Sequence, residues 1–335
     1  MNKNENKTKE DIKKSKDTNI NKSNAKENSQ NNDEQELLDI KNDYVFKRTF
    51  GYKGDEEVTK VLLRDILGMK VNEIDLDVNP ITEKELMDDK LGIMDIASVV
   101  NDNVQVDIEM QVVNKNNIEK RIMYYWNTYY KKSISKGDDY GELKRTIIIL
   151  IADFEIKGIE QAKKYFTEWE IREKDYSELI LTDVLKICII ELPKYIKYKV
   201  NNPNLNLWTE FLENPEVVNM SKKDIENEKD ESLKTTKKAI KQAKDTLEQI
   251  SKDKHEQELA RLRKKYIMDQ NAIQEYGYCQ GVEDGKRDGI EIGKNNGIQF
   301  EKIETAKKML SKKMPIDVII EITGLSKEEI ENIKN

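Results

Sequence analysis

Apolar and polar residues alternate along Val104–Val113, and this alternation is the most informative pattern in the chain. Apolar side chains occupy every second position, and the positions between them hold Gln105, Asp107, Glu109 and Gln111. A period of two residues is typical of a half-buried β-strand. The pattern therefore predicts a strand with one apolar face and one face of acids and amides.

The preceding segment, LGIMDIASVV, is also strand-like, and a turn-forming Asn-Asp-Asn sequence separates the two segments. A hairpin centred on Asp102 places Val100 opposite Val104 and, counting outward, Asp95 opposite Glu109. Opposed Cβ atoms in such a pair lie about 4.5–5.5 Å apart, and two carboxylates that close repel unless a proton or a cation lies between them. Two interpretations remain open from these residues alone: a pair that binds a divalent ion such as Mg²⁺, or an acidic pair without a role on a half-solvated sheet face.

Hydrophobic patterns on either side of the hairpin predict the other elements. Leu37–Leu67 is predicted as helix, loop and helix, and Val71–Val78 as a first strand. After the hairpin, Asn116–Ser135 is predicted as an amphipathic helix. The apolar run Arg145–Phe154 is predicted as a strand covered on both faces, and Leu179–Leu192 adds one or two more. The order helix, three antiparallel strands, helix, strand predicts an α/β fold.

The chain after Pro215 changes to a lysine- and glutamate-rich composition. Ser221–Gln274 contains apolar residues seven apart, which predicts a helix that packs either on the preceding domain or on a second copy of the chain. Glycine recurs at every fourth position from Gly277 to Gly297, which predicts a ridge where two backbones approach closely. These glycines lack the motifs of a phosphate-binding loop, so no nucleotide cofactor is expected.

The C-terminal tail predicts short helices in the outline of a helix-turn-helix. Pro315 is predicted to begin one helix, Gly324 to end it, and Ser326 with Glu329 to form a capping box for the next. The last helix, KEEIENIK, is rich in acids. Its charge favours a protein contact over insertion into a DNA groove.

Composition excludes several classes of protein. The single histidine, His255, lies in a charged stretch, so His-based catalytic triads and His-metal nucleases are not expected. Cys188 and Cys279 lack CxxC spacing, which argues against a disulfide framework and a cysteine zinc site. Because the net charge is −7, DNA binding requires a local basic patch. Without a long apolar run or an apolar leader, the chain is predicted to be cytoplasmic, with no membrane contact.

Four motifs in chain order resemble those of the PD-(D/E)xK nuclease family transposases, also called recombination-promoting nucleases. They are DYVFKRTF at Asp43–Phe50, GIMDIAS with Asp95, DIEMQ with Glu109 and Gln111, and RIMYYWNTYY at Arg121–Tyr130. The resemblance implies a restriction-endonuclease-like core and Mg²⁺-dependent hydrolysis of phosphodiester bonds in DNA. It also implies that Asp95 and Glu109 bind the metal, with Gln111 where the wider superfamily usually has lysine.

Three further residues are candidates on the flanking helices. Asp43 and Lys47 are spaced four apart on one helix surface, for which a surface ion pair is the simplest interpretation. The resemblance implies instead a third acid at Asp43 and a contact to phosphate or to a metal-bound water at Lys47. Arg121 and Tyr125 also share a helix face, either in the core or towards the acids, where a guanidinium suits a scissile phosphate.

These observations predict a DNA endonuclease that depends on Mg²⁺ or Mn²⁺, is linked to recombination or transposition, and forms a homo-oligomer through its C-terminal helical region. The predicted organisation is a disordered polar tail at 1–35, a nuclease-like domain at 36–215, a helical region with the glycine ridge at 216–297 and a small helical tail at 298–335. The alternative is a catalytically silent DNA-binding or oligomeric assembly protein with the same fold, because Gln111 is neutral and cannot supply the charge of a lysine.

Overall fold

The structure, a computed structural model, describes residues 36–334 apart from 53, 55, 78–94, 115, 116 and 219. The predicted tail at 1–35 and the Gly-Ile-Met before Asp95 lie outside the described residues. The strands are β1 (Ile74–Asp77), β2 (Ile96–Val100), β3 (Val104–Gln111), β4 (Arg145–Ala152), β5 (Phe166–Arg172) and β6 (Ile180–Glu191). The helices are α1 (Asp43–Phe50), α2 (Glu57–Leu67), α3 (Ile118–Lys131), α4 (Pro203–Glu213), α5 (Lys222–Glu226), α6 (Glu231–Lys252), α7 (Lys254–Ser311), α8 (Ile316–Thr323) and α9 (Lys327–Lys334).

A mixed sheet in the order β1-β2-β3-β4-β6-β5 forms the centre of the fold. The first three strands are an antiparallel meander, β3 and β4 pair in parallel, and β6 continues the parallel part beside β4. The predicted α/β fold, with its order of helix, meander, helix and strand, is confirmed. The edge strand β5 was not predicted, because its sequence, FTEWEIR, mixes polar and apolar residues at positions that are mostly exposed.

The predicted hairpin register is confirmed, since Val100 pairs with Val104 and Ile96 with Ile108. Asn101 and Asp102 occupy the turn with φ of 48° and 63°. Asn and Asp tolerate this left-handed conformation better than most residues. The turn chemistry therefore sets the pairing of the two strands.

Helices cover both faces of β3. Its apolar side chains pack with α1, α2, α4 and α6, while α3 and apolar residues of β4 and β6 pack on the opposite face. The expectation of a half-buried strand was wrong, because the crossover helix α3 covers the face that carries the acids. Asp107 is 0% exposed and Glu109 3% exposed.

The helix α6 packs on the sheet domain, and its heptad residues Ile240, Ala243 and Leu247 are fully buried in the main core. Asp65 of α2 adds polar contacts here, because it accepts hydrogen bonds from Thr236 at 2.7 Å and from the indole of Trp208 at 2.9 Å. Of the two alternatives for this helix, packing on the preceding domain is confirmed. The boundaries proposed between domains stay a prediction.

The helix α7 is 58 residues long and its middle makes no contact with the rest of the described chain around the glycines. A Cβ atom added at any glycine from Gly277 to Gly297 would have no heavy atom within 4 Å. At its end, α7 packs with α8 and α9 in a small separate core. Gly324 ends α8 at φ 66°, and Ser326 and Glu329 form the predicted capping box. No helix in the described part of the chain is long and apolar enough to cross a membrane.

Candidate active site

The hairpin brings Asp95 and Glu109 together. Asp95 directly precedes β2, and continuing the ladder by one residue beyond Ile96 and Ile108 places it beside Glu109. The backbone N–H of Met110 donates to Oδ2 of Asp95 at 2.8 Å, which fixes the aspartate against β3. The sheet therefore holds two carboxyl groups next to each other at the end of β2.

Asp107 joins these acids, although its place on the polar face of the strand had not marked it as a site residue. It lies two residues before Glu109 on the same face of β3, and both of its carboxylate oxygens are buried without a hydrogen-bond donor among the described residues. Oε1 of Glu109 is also buried without a hydrogen-bond donor among the described residues. Unpaired buried carboxylate oxygens are rare because their desolvation is costly. We call Asp95, Asp107 and Glu109 the acid cluster.

Burial raises the pKa of all three carboxyl groups well above the usual range, because removal from water disfavours the charged form. Neighbouring negative charges add to this effect. Glu109 raises the pKa of Asp95, Asp95 raises that of Asp107, and Asp107 raises that of Glu109. The cluster therefore favours binding of a proton or a cation.

Gln111 connects the acid cluster to α3. Its Nε2 donates to Oε2 of Glu109 at 3.2 Å, and its Oε1 accepts from Arg121 at 3.1 Å. Arg121 also donates to the hydroxyl of Tyr125 at 3.0 Å, and its charge lowers the pKa of Glu109. Arg121 and Tyr125 thus face the acids, which was one of the two placements expected from their spacing.

The two candidates on α1 do not form the simple ion pair that their spacing indicated. Lys47 is only 7% exposed, and its ammonium charge lowers the pKa of both Asp95 and Asp107. Asp43 pairs with Arg263 of α7, whose Nε lies 2.8 Å from Oδ2 of the aspartate. Asp43 also raises the pKa of Asp95, so both residues of α1 act electrostatically on the acid cluster.

A cleft of about 50 Å³ opens beside the cluster at the ends of β3 and α3. The first turns of α7 form its other wall. Residues with hydrogen-bonding side chains that line it are Asp43, Gln111, Arg121, Arg263, Tyr266, Gln270 and Asn271. Among the candidates, Asp95 and Glu109 thus lie in the cluster, and Asp43, Gln111 and Arg121 line the cleft. Lys47 acts on the cluster through its charge, and the helical extension adds further side chains to the cleft.

Comparison with protein families agrees with this architecture. The family model described as PD-(D/E)XK nuclease family transposase matches residues 40–277, which is more than half of the chain. The chain belongs to this family. The resemblance seen in the four sequence motifs is therefore confirmed, and the match includes α6 and the part of α7 that lines the cleft.

A second family model, the C-terminal HTH domain of the Rpn/YhgA-like nuclease family, matches residues 299–335 of this transposase-family chain. This confirms the predicted helix-turn-helix outline, and such a domain suggests DNA binding. Whether α9 enters a groove or contacts protein stays a prediction. No curated protein and no solved structure matched the chain.

PD-(D/E)XK nucleases generally use divalent metal ions, and the acid cluster fits such an ion. Its free carboxylate oxygens are the hard ligands that Mg²⁺ and Mn²⁺ prefer. No three His, Cys, Asp or Glu side chains within the described ranges form a recognisable metal-binding group. Two carboxylates are nevertheless sufficient, because Mg²⁺ often binds one or two and keeps several waters.

Sequence reasoning missed Asp107 and Arg263, for different reasons. Asp107 carried a usable signal, because it lies on the same strand face as Glu109 and only two residues away. Arg263 carried none, since 220 residues separate it from Asp43 and its own helix shows no local pattern that marks a site.

Proposed function

We propose that this protein is a DNA endonuclease that depends on Mg²⁺ or Mn²⁺ and acts in recombination or transposition. The observation that carries the proposal is the acid cluster itself, with unpaired buried carboxylate oxygens beside a cleft that two arginines line. Asp95 and Glu109 are the proposed metal ligands. A structural role explains the cluster poorly, because replacing such acids by apolar residues would remove an energetic cost.

A divalent ion bound at these two acids would lower the pKa of a water molecule and stabilise negative charge on the scissile phosphate. Gln111 is proposed to orient the attacking water, because hydrogen bonds to Glu109 and Arg121 hold its amide at both ends. Arg121 is proposed to contact the phosphate, since a planar guanidinium matches two phosphate oxygens.

The neutral Gln111 raises the question of where the positive charge of the usual lysine comes from. Lys47 is the proposed source, since its ammonium group acts electrostatically on Asp95 and Asp107 from α1. Arg121 supplies a second cation from α3. This arrangement supports an active enzyme over the catalytically silent alternative, because charge from two helices replaces that of one strand residue.

Plasmid cleavage by the purified protein tests the proposal. We expect nicking or linearisation with Mg²⁺ or Mn²⁺ and none with a chelator. Asp95→Asn is expected to cut at least about 100-fold more slowly, since even weaker disturbances around metal ligands cost 10–100-fold. The matched control is Asp102→Asn, which alters an exposed acid in the turn of the same hairpin. Intact plasmid after incubation of the wild-type protein with either metal would favour the silent alternative.

We further propose that the protein forms a homo-oligomer through the middle of α7. Six glycines in a helix interior cost roughly 1 kcal/mol each relative to alanine, and this segment makes no compensating contact at those positions. A second helix that approaches the glycine ridge closely would supply the missing packing. Polar and charged residues between the glycines exclude a membrane as the partner.

A further inference from the structure

We propose that Arg263, on the helical extension, contacts a DNA phosphate at the nuclease site, and that Asp43 positions it. This inference rests on the proposed endonuclease function and deepens it. It makes the beginning of α7 a part of the substrate-binding site.

The beginning of α7 is fixed to α1 by several polar contacts. Glu256 accepts a hydrogen bond from the hydroxyl of Tyr44 at 2.6 Å and pairs with the guanidinium of Arg48 at 2.8 Å. One turn further on, the side-chain amide of Asn42 donates to the backbone oxygen of Ala260 at 3.1 Å. These contacts hold α7 against the helix that carries Asp43 and Lys47, so its next turns have a defined position beside the cleft.

The face of α7 that lines the cleft is chemically unlike a packing face. Its residues are Arg263, Tyr266, Ile267, Gln270 and Asn271, spaced as neighbours on one side of a helix. A helix face that only packs is typically apolar, but Ile267 alone is aliphatic here. The others present a guanidinium, a phenol and two amides, which are the groups that contact phosphates and sugars in protein–DNA interfaces.

Arg263 lines the cleft and is held in place there by its neighbours. Its Nε donates to both oxygens of Asp43, at 2.9 Å and 2.8 Å, and a terminal nitrogen also contacts that carboxylate. The guanidinium lies 5.3 Å from the ring centre of Tyr266. These partners fix its plane, and a fixed guanidinium loses little entropy when it binds an anion. The ion pair is 14% and 19% exposed, so it is shielded but borders the cleft.

The cleft has a size and a charge pattern that suit a phosphate group. At about 50 Å³ it has room for a few water molecules, which is the scale of the oxygens of one phosphate group. Arg121 also lines the cleft, so an anion there would have two guanidinium groups within the same site. The acid cluster and Asp43 would repel DNA, and a second arginine at this place offsets that repulsion.

Salt-dependent DNA binding by the full-length protein tests the inference. The probe is a fluorescent 20-bp duplex, and all proteins carry Asp95→Asn so that the DNA stays intact. Each phosphate contact contributes about 0.9 to the slope of log K against log salt concentration. Arg263→Gln is therefore expected to reduce the slope by about 0.9 and to weaken binding roughly tenfold at low salt. Arg261→Gln, which removes an exposed guanidinium from α7 outside the cleft, is expected to leave the slope unchanged.

Arg263→Lys separates the phosphate contact from a purely structural role. This variant keeps the charge and the pairing with Asp43, so its salt slope should match that of the protein that retains Arg263. In the cleaving background it should still cut roughly tenfold more slowly, because an ammonium cannot bind two phosphate oxygens in a fixed plane. Circular dichroism and melting curves confirm that each variant is folded.

Equal slopes for Arg263→Gln and the unchanged Arg263 protein would overturn the inference, as would equal slope losses for Arg263→Gln and Arg261→Gln. If either result is obtained and the wild-type protein still cuts plasmid with metal, the inference fails but the proposed endonuclease function stands. If the wild-type protein neither binds the duplex nor cuts plasmid, the inference fails together with the proposed function.

Discussion

The acid cluster and the glycine ridge of α7 both cost the folded chain free energy, but for opposite reasons. In the cluster, tight packing removes water from Asp107 and Glu109 and supplies no donors to some of their oxygens. In the ridge, packing is absent, and glycines from Gly277 to Gly297 leave the backbone exposed. The first region needs a small cation that fits among oxygens. The second needs a surface that lies close to a backbone.

The difference shows how a local cost indicates the kind of partner. Buried charge without donors selects for a compact ion, because a larger group could not enter a face that α3 already covers. Exposed glycine selects for another helix or a similar surface, since only close approach benefits from a missing side chain. Adding metal or substituting a carboxylate tests the first interpretation. Substituting a glycine of the ridge tests the second.

The largest expected effect is stabilisation of the acid cluster by metal. An ion that binds only the folded state at 100 times its Kd raises the free energy of unfolding by about 2.7 kcal/mol. We expect Mg²⁺ or Mn²⁺ to raise the Tm of the wild-type protein accordingly. Asp95→Asn and Glu109→Gln should abolish this response and keep or raise the stability of the metal-free protein, because each removes a repelling charge.

Differential scanning calorimetry at several metal concentrations measures the response, and Asp102→Asn should behave as wild type. A metal response of full size in Asp95→Asn would contradict the assignment of this residue as a ligand. It would also mean that the repulsion within the acid cluster is not relieved by an ion bound between Asp95 and Glu109.

The next effect concerns the glycine ridge. Gly285→Leu places a large side chain where a second helix is expected to approach, and we expect self-association to weaken at least about tenfold, or 1.4 kcal/mol. Light scattering over a range of protein concentrations measures the change. The matched control is Glu283→Leu, which adds the same side chain about 200° around the helix.

Gly285→Ala gives a second test of the same comparison. If the ridge contacted nothing, alanine would stabilise the helix by about 1 kcal/mol, which slows amide hydrogen exchange of this segment about fivefold with no change in mass. That outcome would show that the glycines do not mediate an interface. If the ridge does contact a second helix, Gly285→Ala should weaken self-association, and amide hydrogen exchange of this segment should be unchanged or faster.

The smallest effect is the pH dependence caused by Asp107. Because its pKa is raised in the folded protein, the folded state binds more protons than the unfolded state between the ordinary and the raised pKa. Its contribution to stability is therefore present at acid pH and is lost as pH rises through that interval. We expect Asp107→Asn to be about 1 kcal/mol more stable than wild type near neutral pH without metal, and the difference to vanish at acid pH.

Urea unfolding of both proteins across this pH range measures the difference. Subtracting the two curves matters, because acids such as Glu256 have a lowered pKa and contribute with the opposite sign. A difference that does not vary with pH would show that the pKa of Asp107 is the same in the folded and the unfolded protein, which would contradict the raised pKa.

Local sequence was sufficient for the hairpin and for the ends of several helices. Asp95 and Glu109 are joined by two strands and a short turn, so strand periodicity and turn chemistry place them side by side without help from the rest of the fold. The same holds for the capping box at Ser326, where one hydrogen-bonded turn contains every participant. Interactions between residues that are close in the chain produce a local sequence pattern, so they can be predicted from the sequence.

Long-range packing was needed for the burial of the acids and for the second wall of the cleft. Alternation along β3 distinguishes its two faces, but it does not say whether water or α3 covers the polar one. Asp43 and Arg263 are 220 residues apart, and each alone is an ordinary charged residue on a helix surface. Their pairing depends on α6 docking on α1 and α2 before α7 begins, and that docking uses the whole core, which no local pattern encodes.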